Sequence, residues 1–362
     1  MSLPIRPDLV GLKAYGAPQL DVPVCLNTNE NPFSPPPALV KAIAKNVGAI
    51  AGNLNRYPDR DAVALRTSLA AYLSKESRVK IKPDQVWAAN GSNEIMLQIL
   101  QVFGGPGRTA LTFSPTYSMY EEYARNTSTK FVSVDRKSDY SIDAELVVKA
   151  ISIHRPTVVF FTSPNNPTGT SIDLAVIDAA LKAAPDVIMV VDEAYAEFRR
   201  AGVPSALTRL KSHPNLIVTR TMSKAFACAG VRLGYMAADP AIREAIMLVR
   251  LPYHLSTVTQ TVALTALEYA ADLQQDLDVI RGERDSLVTW FRENGYEAAE
   301  SDANFVLFGQ LKDRHATWQA LVDRGVLIRE VGPAGWLRVT VGTPKEMQIF
   351  KKTLLEVKGL TS

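Results

Sequence analysis

From Val86 onward, short apolar runs alternate with stretches of helical periodicity. The runs are Val86–Ala89, Thr109–Phe113, Phe131–Val134, Thr157–Thr162, Val187–Val191 and Leu216–Thr219. Most are apolar at consecutive positions rather than alternate ones, which is how strands buried on both faces of a parallel sheet read. Between most of them apolar residues recur at helical spacing, as in Ile95/Ile99/Val102 and Leu174/Ile177/Leu181. Strand and helix in alternation predict an α/β architecture, with a mostly parallel sheet between helices forming a large domain.

The flanks follow other rules. Residues 1–34 are rich in Pro, Gly and Asn and predict an extended arm, packing with the small domain or a dimer partner. Ser34-Pro35-Pro36-Pro37 predicts a helix start, with Ser34 as cap and proline in the first turn, followed by Leu39, Ile43, Val47 and Ile50. After about residue 250, long amphipathic helices appear, including Leu277/Ile280/Leu287/Phe291. A mixed region closes the chain: Phe305–Phe308, a helix, Gly325–Arg329, Trp336–Val341 and a last helix. The expected division is an arm (1–34), a large domain (35–255) and a smaller α+β domain (256–362).

Composition narrows the function. The 362 residues are 47% hydrophobic and 21% charged, with a net charge of +3, ordinary values for a soluble globular protein. No basic run is interleaved with aromatics, which argues against nucleic acid as a partner. No apolar run is long enough to span a bilayer. The N-terminus lacks the apolar core of a secretory signal. Cys25 and Cys228 are far apart and show no CxxC spacing, which suits a reducing compartment. His154, His213, His254 and His315 show no ligand spacing, so no metal site is expected. The reading is a soluble intracellular enzyme.

The candidate chemistry lies at the ends of the predicted strands, where open α/β sheets bind ligands. Thr221-Met222-Ser223-Lys224-Ala225-Phe226 is followed by Arg232. An amine able to form a Schiff base, beside Ser and Arg able to neutralise a phosphate, suits a phosphorylated aldehyde. A lysine in a polar turn is otherwise a solvated charge, so the case rests on its companions. Asn90-Gly91-Ser92-Asn93-Glu94 opens a helix whose first N–H groups favour a phosphate. Tyr117, in Pro115-Thr116-Tyr117, offers a ring to stack on a flat cofactor. Ser163-Pro164-Asn165-Asn166-Pro167-Thr168-Gly169 forms a turn after the next strand. Asp192 follows five apolar residues, where a carboxylate is costly unless paired. A protonated pyridine nitrogen is a fitting partner, and a salt bridge to an Arg or Lys is the alternative.

These loops together resemble the fold-type I aminotransferases that use pyridoxal 5′-phosphate (PLP). The resemblance covers nearly the whole chain. Leu26–Pro32, Asn55-Arg56-Tyr57-Pro58-Asp59, Pro115–Tyr120, Thr221–Phe226 and Leu337–Gly342 are similar to the histidinol-phosphate aminotransferase family. Ala14–Gln19 and Leu251–Ser256 resemble its actinobacterial branch. The resemblance implies a cytoplasmic homodimer of histidine biosynthesis. Lys224 would carry PLP and shuttle a proton, and Asp192 would pair the pyridine nitrogen. Asn166 and Tyr195 would bond the ring 3′-oxygen, while Tyr117 stacks on the ring. Ser92, Asn93, Ser223 and Arg232 would hold the phosphate, with Tyr57 reaching in from the partner. Arg338 and Arg329 would bind the substrate anion, with Tyr15 and Asn29 also contacting substrate.

The implied reaction is a ping-pong transamination between glutamate/2-oxoglutarate and histidinol phosphate/imidazole-acetol phosphate. Two enzymes sharing the cofactor machinery are alternatives: an aromatic-amino-acid aminotransferase and a PLP-dependent lyase. A non-enzymatic PLP-binding regulator would need an appended DNA-binding segment.

Overall fold

The computed structural model describes residues 3–361. In chain order its strands are β1 (Val24–Cys25), β2 (Val86–Asn90), β3 (Thr109–Ser114), β4 (Lys130–Asp135), β5 (Val158–Thr162), β6 (Ile188–Asp192), β7 (Leu216–Thr221), β8 (Leu233–Ala238), β9 (Glu297–Ala298), β10 (Phe305–Gly309), β11 (Val326–Leu327) and β12 (Leu337–Thr340). Its helices begin with α1 (Pro37–Ile50), α2 (Val63–Ser77), α3 (Ser92–Phe103), α4 (Met119–Asn126), α5 (Ala144–His154) and α6 (Leu174–Ala183). The rest are α7 (Pro240–Met247), α8 (Thr257–Glu268), α9 (Gln274–Glu293), α10 (Arg314–Val322) and α11 (Pro344–Thr361). Among the described residues no helix is long and apolar enough to cross a membrane.

Seven strands form one sheet in the order β2-β8-β7-β6-β5-β3-β4. All run parallel except β8, which is antiparallel to both its neighbours. This strand is absent from the sequence-based expectation, where Arg232–Tyr235 is read for its ligand chemistry. Its direction matters, because reversal brings its first residues to the edge where the parallel strands end. β5 is fully buried, as its unbroken apolar run predicts. β4 departs from that expectation. It lies at the sheet edge and no residue of it is fully buried: Phe131 packs half-buried on one face, and Val132 and Val134 on the other.

The helix at Pro37 does not use Ser34 as its cap. Pro36 occupies that position without a side-chain bond, and the ring of Pro37 presets φ for the first turn. The apolar stripe of α9 is buried at Leu277, Ile280, Leu287 and Phe291. The Gly325–Arg329 run forms strand only at Val326–Leu327, and its parallel partner is β1 of the N-terminal arm. β12, β10 and β9 form a separate three-stranded sheet. Arg338 lies on β12, and Arg329 bridges to it in both directions with backbone N···O distances of 3.0 Å.

Candidate active site

At the carboxyl ends of the parallel strands lies a cavity of about 430 Å³. All the candidate residues except Tyr57 line it: Lys224, Asp192, Tyr195, Ser92, Asn93, Tyr117, Asn166, Ser223, Arg232, Arg338, Arg329, Tyr15 and Asn29. Tyr57 is 81% exposed and stacks on Tyr253, outside the cavity.

One end of the cavity is built to hold an anion. β2 turns through Gly91, at φ +79°, into α3. Its cap position is Gly91, so no side chain caps that helix, and Glu94 Oε2 accepts from the Asn90 backbone N–H at 2.6 Å. Arg232 precedes the antiparallel β8 and lies over the turn. A Cβ added at Gly91 would sit 2.7 Å from Arg232 Nη2. Gly234 lets β8 approach equally closely, since its Cβ would fall 2.0 Å from Ser92 N. Free helix N–H groups, a guanidinium and the Ser223 hydroxyl are groups that could hold a phosphate.

Asp192, at the end of β6, is 4% exposed. Its Oδ1 accepts from the Thr219 hydroxyl at 3.1 Å and the Ala194 N–H at 3.2 Å, and its Oδ2 from Tyr120 at 2.9 Å. No cation pairs with it among the described residues. Burial therefore pushes its carboxyl up to about 6, although those three bonds pull the other way. A buried anion held by neutral donors fits a cationic ligand atom, such as the protonated ring nitrogen of PLP. The salt-bridge alternative belongs to the next residue: Glu193, not Asp192, meets an arginine, Arg220.

Lys224 follows β7 and donates from Nζ to the Thr28 carbonyl at 2.9 Å. Burial, then Arg338 and Arg232, lowers its amine to about 8, against an opposing pull from Glu30. Tyr117 packs edge-on to Tyr120 with ring centroids 5.6 Å apart. Asn29 donates from Nδ2 to the Tyr195 hydroxyl at 2.9 Å and bonds Thr340 through both its backbone N–H and its Oδ1. The arm, the large sheet and β12 meet at this residue.

At the far end, Arg338 is more buried than the half-buried setting expected from its strand, at 6% exposed. It donates to Asn166 Oδ1 and to the Asn27 carbonyl at 2.8 Å. Burial lowers its guanidinium to about 10. Arg329 Nη2 reaches the Gly16 carbonyl at 3.4 Å. Arg338 Nε and Arg329 Nη1 are buried donors without partners, which two adjacent guanidinium groups would offer an incoming anion. Sequence reasoning missed Tyr120, Thr162 and Thr219, which surround the Asp192 carboxylate. The available signal was a threonine directly after a run of apolar residues, as Thr162 and Thr219 are.

Comparison with known proteins agrees with this geometry. The family described as aminotransferase class I and II matches residues 22–354. A histidinol-phosphate aminotransferase of Thermobifida fusca is 60% identical over 357 residues, spanning 99% of this chain and 96% of the relative. Histidinol-phosphate aminotransferase 3 of Burkholderia lata is 56% identical, spanning 99% and 96%. The crystal structure of the Sinorhizobium meliloti histidinol-phosphate aminotransferase, in complex with pyridoxal-5′-phosphate, superposes with a TM-score of 0.85 at 25% identity. It covers 94% of this chain, and this chain covers 92% of it. Similarity of this extent, over a cavity with a phosphate cradle, a buried carboxylate and a low-pKa lysine, means that the chain belongs to the class I and II aminotransferases, in the PLP-using histidinol-phosphate aminotransferase family.

Proposed function

We propose that the chain transfers the amino group between L-histidinol phosphate and 2-oxoglutarate, as a cytoplasmic homodimer. The observation that carries the substrate reading is the Arg338–Arg329 pair, two guanidinium groups bridged through their backbones and each with an unpaired buried N–H. A second anion site, distinct from the phosphate cradle at α3, is what a phosphorylated or dicarboxylic substrate requires. PLP, when bound, supplies an aldehyde for amines and a ring that takes up the electron pair released at the substrate Cα.

The chain's own groups divide the remaining work. Ser92, Asn93, Ser223 and Arg232 would hold the cofactor phosphate. Asp192 would keep a proton on the ring nitrogen, and Asn166 and Tyr195 would bond the 3′-oxygen. Tyr117 would pack on the ring. Lys224 Nζ would bind the cofactor's aldehyde and would take the proton from the substrate Cα. Its lowered pKa suits that task, because a base near the working pH is present in its neutral form. Arg338 and Arg329 fix the substrate anion, and Tyr15 and Asn29 close the cavity beside it.

An amino-donor and acceptor panel with purified protein tests the reading. Arg338→Ala is expected to lower kcat/KM for glutamate and histidinol phosphate alike, by roughly a hundredfold, the usual effect of losing a charge-assisted bidentate contact. Arg329→Ala is expected to affect the phosphorylated substrate more, because a phosphate offers an additional oxygen. An Arg329→Ala variant that loses phenylalanine and histidinol-phosphate transamination equally would favour the aromatic-aminotransferase alternative.

The dimer reading rests on Tyr57, which projects from the surface against Tyr253 in the segment the family resemblance assigns to the partner's phosphate site. Tyr57→Phe is expected to weaken PLP retention by about 1.5–3 kcal/mol while leaving the fold intact, since one hydrogen bond to a charged group is lost. Sedimentation of a fully active monomer would overturn the composite site.

A further inference from the structure

Behind the cavity lies a second group of charges that the chemistry above does not use. β6 and β7 are paired so that Asp192 lies beside Thr219, and the Glu193 N–H donates to the Thr219 carbonyl at 2.9 Å. Side chains alternate across a strand, so Glu193 and Arg220 leave on the face opposite Asp192, Thr219 and Thr221. There Arg220, only 1% exposed, donates from Nε and Nη2 to Glu193 Oε2 at 3.0 and 2.7 Å. Arg220 also reaches Glu76 at 3.0 Å and Glu197 at 3.3 Å.

Glu193 is saturated. Its carboxylate accepts from the Ser205 hydroxyl at 2.7 Å and from the Ala206 N–H at 2.7 Å, with Arg199 3.4 Å away. Burial opposes its charge, but Arg220 and Arg199, with those bonds, hold its carboxyl below the ordinary value. Glu197 is raised by burial, and Tyr72 donates to it at 3.1 Å. Tyr235 packs within reach of the same charges.

A buried ion pair gives little net stability compared with an apolar pair of similar volume, so stability alone does not account for this one. Its placement does. Glu193 is the residue after Asp192, and Arg220 lies four residues before Lys224, separated from it by a turn in which the Thr221 hydroxyl lies 3.0 Å from Ser223 Oγ. We infer that Arg220 is a positioning residue for amino transfer: by tying Glu193 to the strand that leads to Lys224, it fixes Asp192 and Lys224 at one spacing across the β6–β7 ends. The inference rests on the roles proposed above for Asp192 and Lys224, and those are tested by their own variants whatever Arg220 does.

The experiment compares Arg220→Met with Arg220→Met/Glu193→Gln. The single variant leaves an ionised buried Glu193 and is expected to unfold at lower temperature, increasingly so as pH rises through the carboxylate range. The double variant removes both charges of the pair but still leaves Glu197 and Glu76 without Arg220, so it is expected to regain only part of the lost thermal midpoint. Its kcat is expected to stay down by about tenfold or more, with KM for glutamate within about twofold, because alignment and not binding is lost. A readout independent of turnover is reductive methylation of Lys224 in the cofactor-free protein, followed by peptide mass spectrometry against pH. Burial lowers the wild-type amine to about 8, so its methylation midpoint is expected there, and that of the double variant nearer an ordinary lysine, because a loosened turn admits water. Wild-type kcat and a wild-type methylation midpoint in the double variant overturn the inference. If methionine is not tolerated, Arg220→Lys keeps the charge but loses the forked contact. Reduced kcat at an unchanged thermal midpoint then supports positioning, and unchanged kcat overturns it.

Discussion

Lys224→Ala is expected to abolish turnover, by at least roughly 10⁴-fold through joint loss of the nucleophile and the base, and to remove the visible absorption of cofactor-loaded protein. With its amine at about 8, Lys224 is about half neutral at pH 8, against about 0.4% for an ordinary lysine. No other lysine lines the cavity among the described residues. The fold is expected to survive, because Lys224 makes one hydrogen bond, to the Thr28 carbonyl, worth about 0.5–1.5 kcal/mol. The sign of the pH effect follows from the lowered amine. The folded protein holds that proton less tightly than the unfolded chain, so this group's contribution to stability falls as pH drops from about 10 to about 8. Alanine removes that slope from the unfolding curve of the cofactor-free protein. Borohydride reduction of loaded wild-type protein, followed by peptide mapping, is expected to mark Lys224, and a label on another lysine refutes the assignment.

The same lysine illustrates how much of the fold and site was legible in the sequence. Strands β5 and β6, and the first half of β7, were readable because both their faces are buried, so hydrophobicity runs unbroken there and needs no periodicity to be noticed. β8 was not, although Leu233–Ala238 is buried throughout. Arg232 just before it and Gly234 within it were read for ligand chemistry and close approach, and that reading obscured the strand. The edge position of β4 depends on sheet order, which pairing across the whole domain determines. The Ser34 cap failed because three successive prolines delay the first helical turn to Pro37.

The residues at strand ends were legible for a related reason. Polar and glycine residues directly after apolar runs have few structural explanations, so Asp192 and the Asn90–Glu94 turn stand out. The contacts that tune them do not. Asn29 meets Thr340 across 311 positions, and Arg338 meets Asn166 across 172. Tyr120 bonds Asp192 from the first turn of the amphipathic helix α4, where a tyrosine reads as core. Such contacts arise only once sheet order and the return of the small domain are set.

Asp192→Asn is expected to bind PLP yet turn over about 10²–10³-fold more slowly, the scale on which one electrostatic partner of the reacting centre acts. The proposed phosphate cradle at α3 does not include Asp192, so cofactor retention is expected to fall far less than rate. The polar frame can accept the amide. Oδ1 keeps the Thr219 and Ala194 donors, and the new NH₂ can donate to Tyr120 if that hydroxyl turns its proton to Thr162, 2.8 Å away. A second, opposite effect is expected in the cofactor-free protein. The Asp192 carboxyl lies near 6 in the fold against an ordinary 3.8, so the folded state holds this proton more tightly than the unfolded chain. Its contribution to stability is therefore greatest below about pH 4 and declines as pH rises to about 6, by on the order of 3 kcal/mol. Asparagine carries no such charge. Cofactor-free Asp192→Asn should thus melt above cofactor-free wild type at neutral pH and match it more closely at pH 4, and saturating PLP should narrow the neutral-pH gap by giving wild-type Asp192 its cation. Near-normal turnover in the variant would mean that the ring nitrogen is held by another group. Equal melting of the two cofactor-free proteins from pH 4 to 7 would mean that Asp192 is compensated in the fold without its ligand.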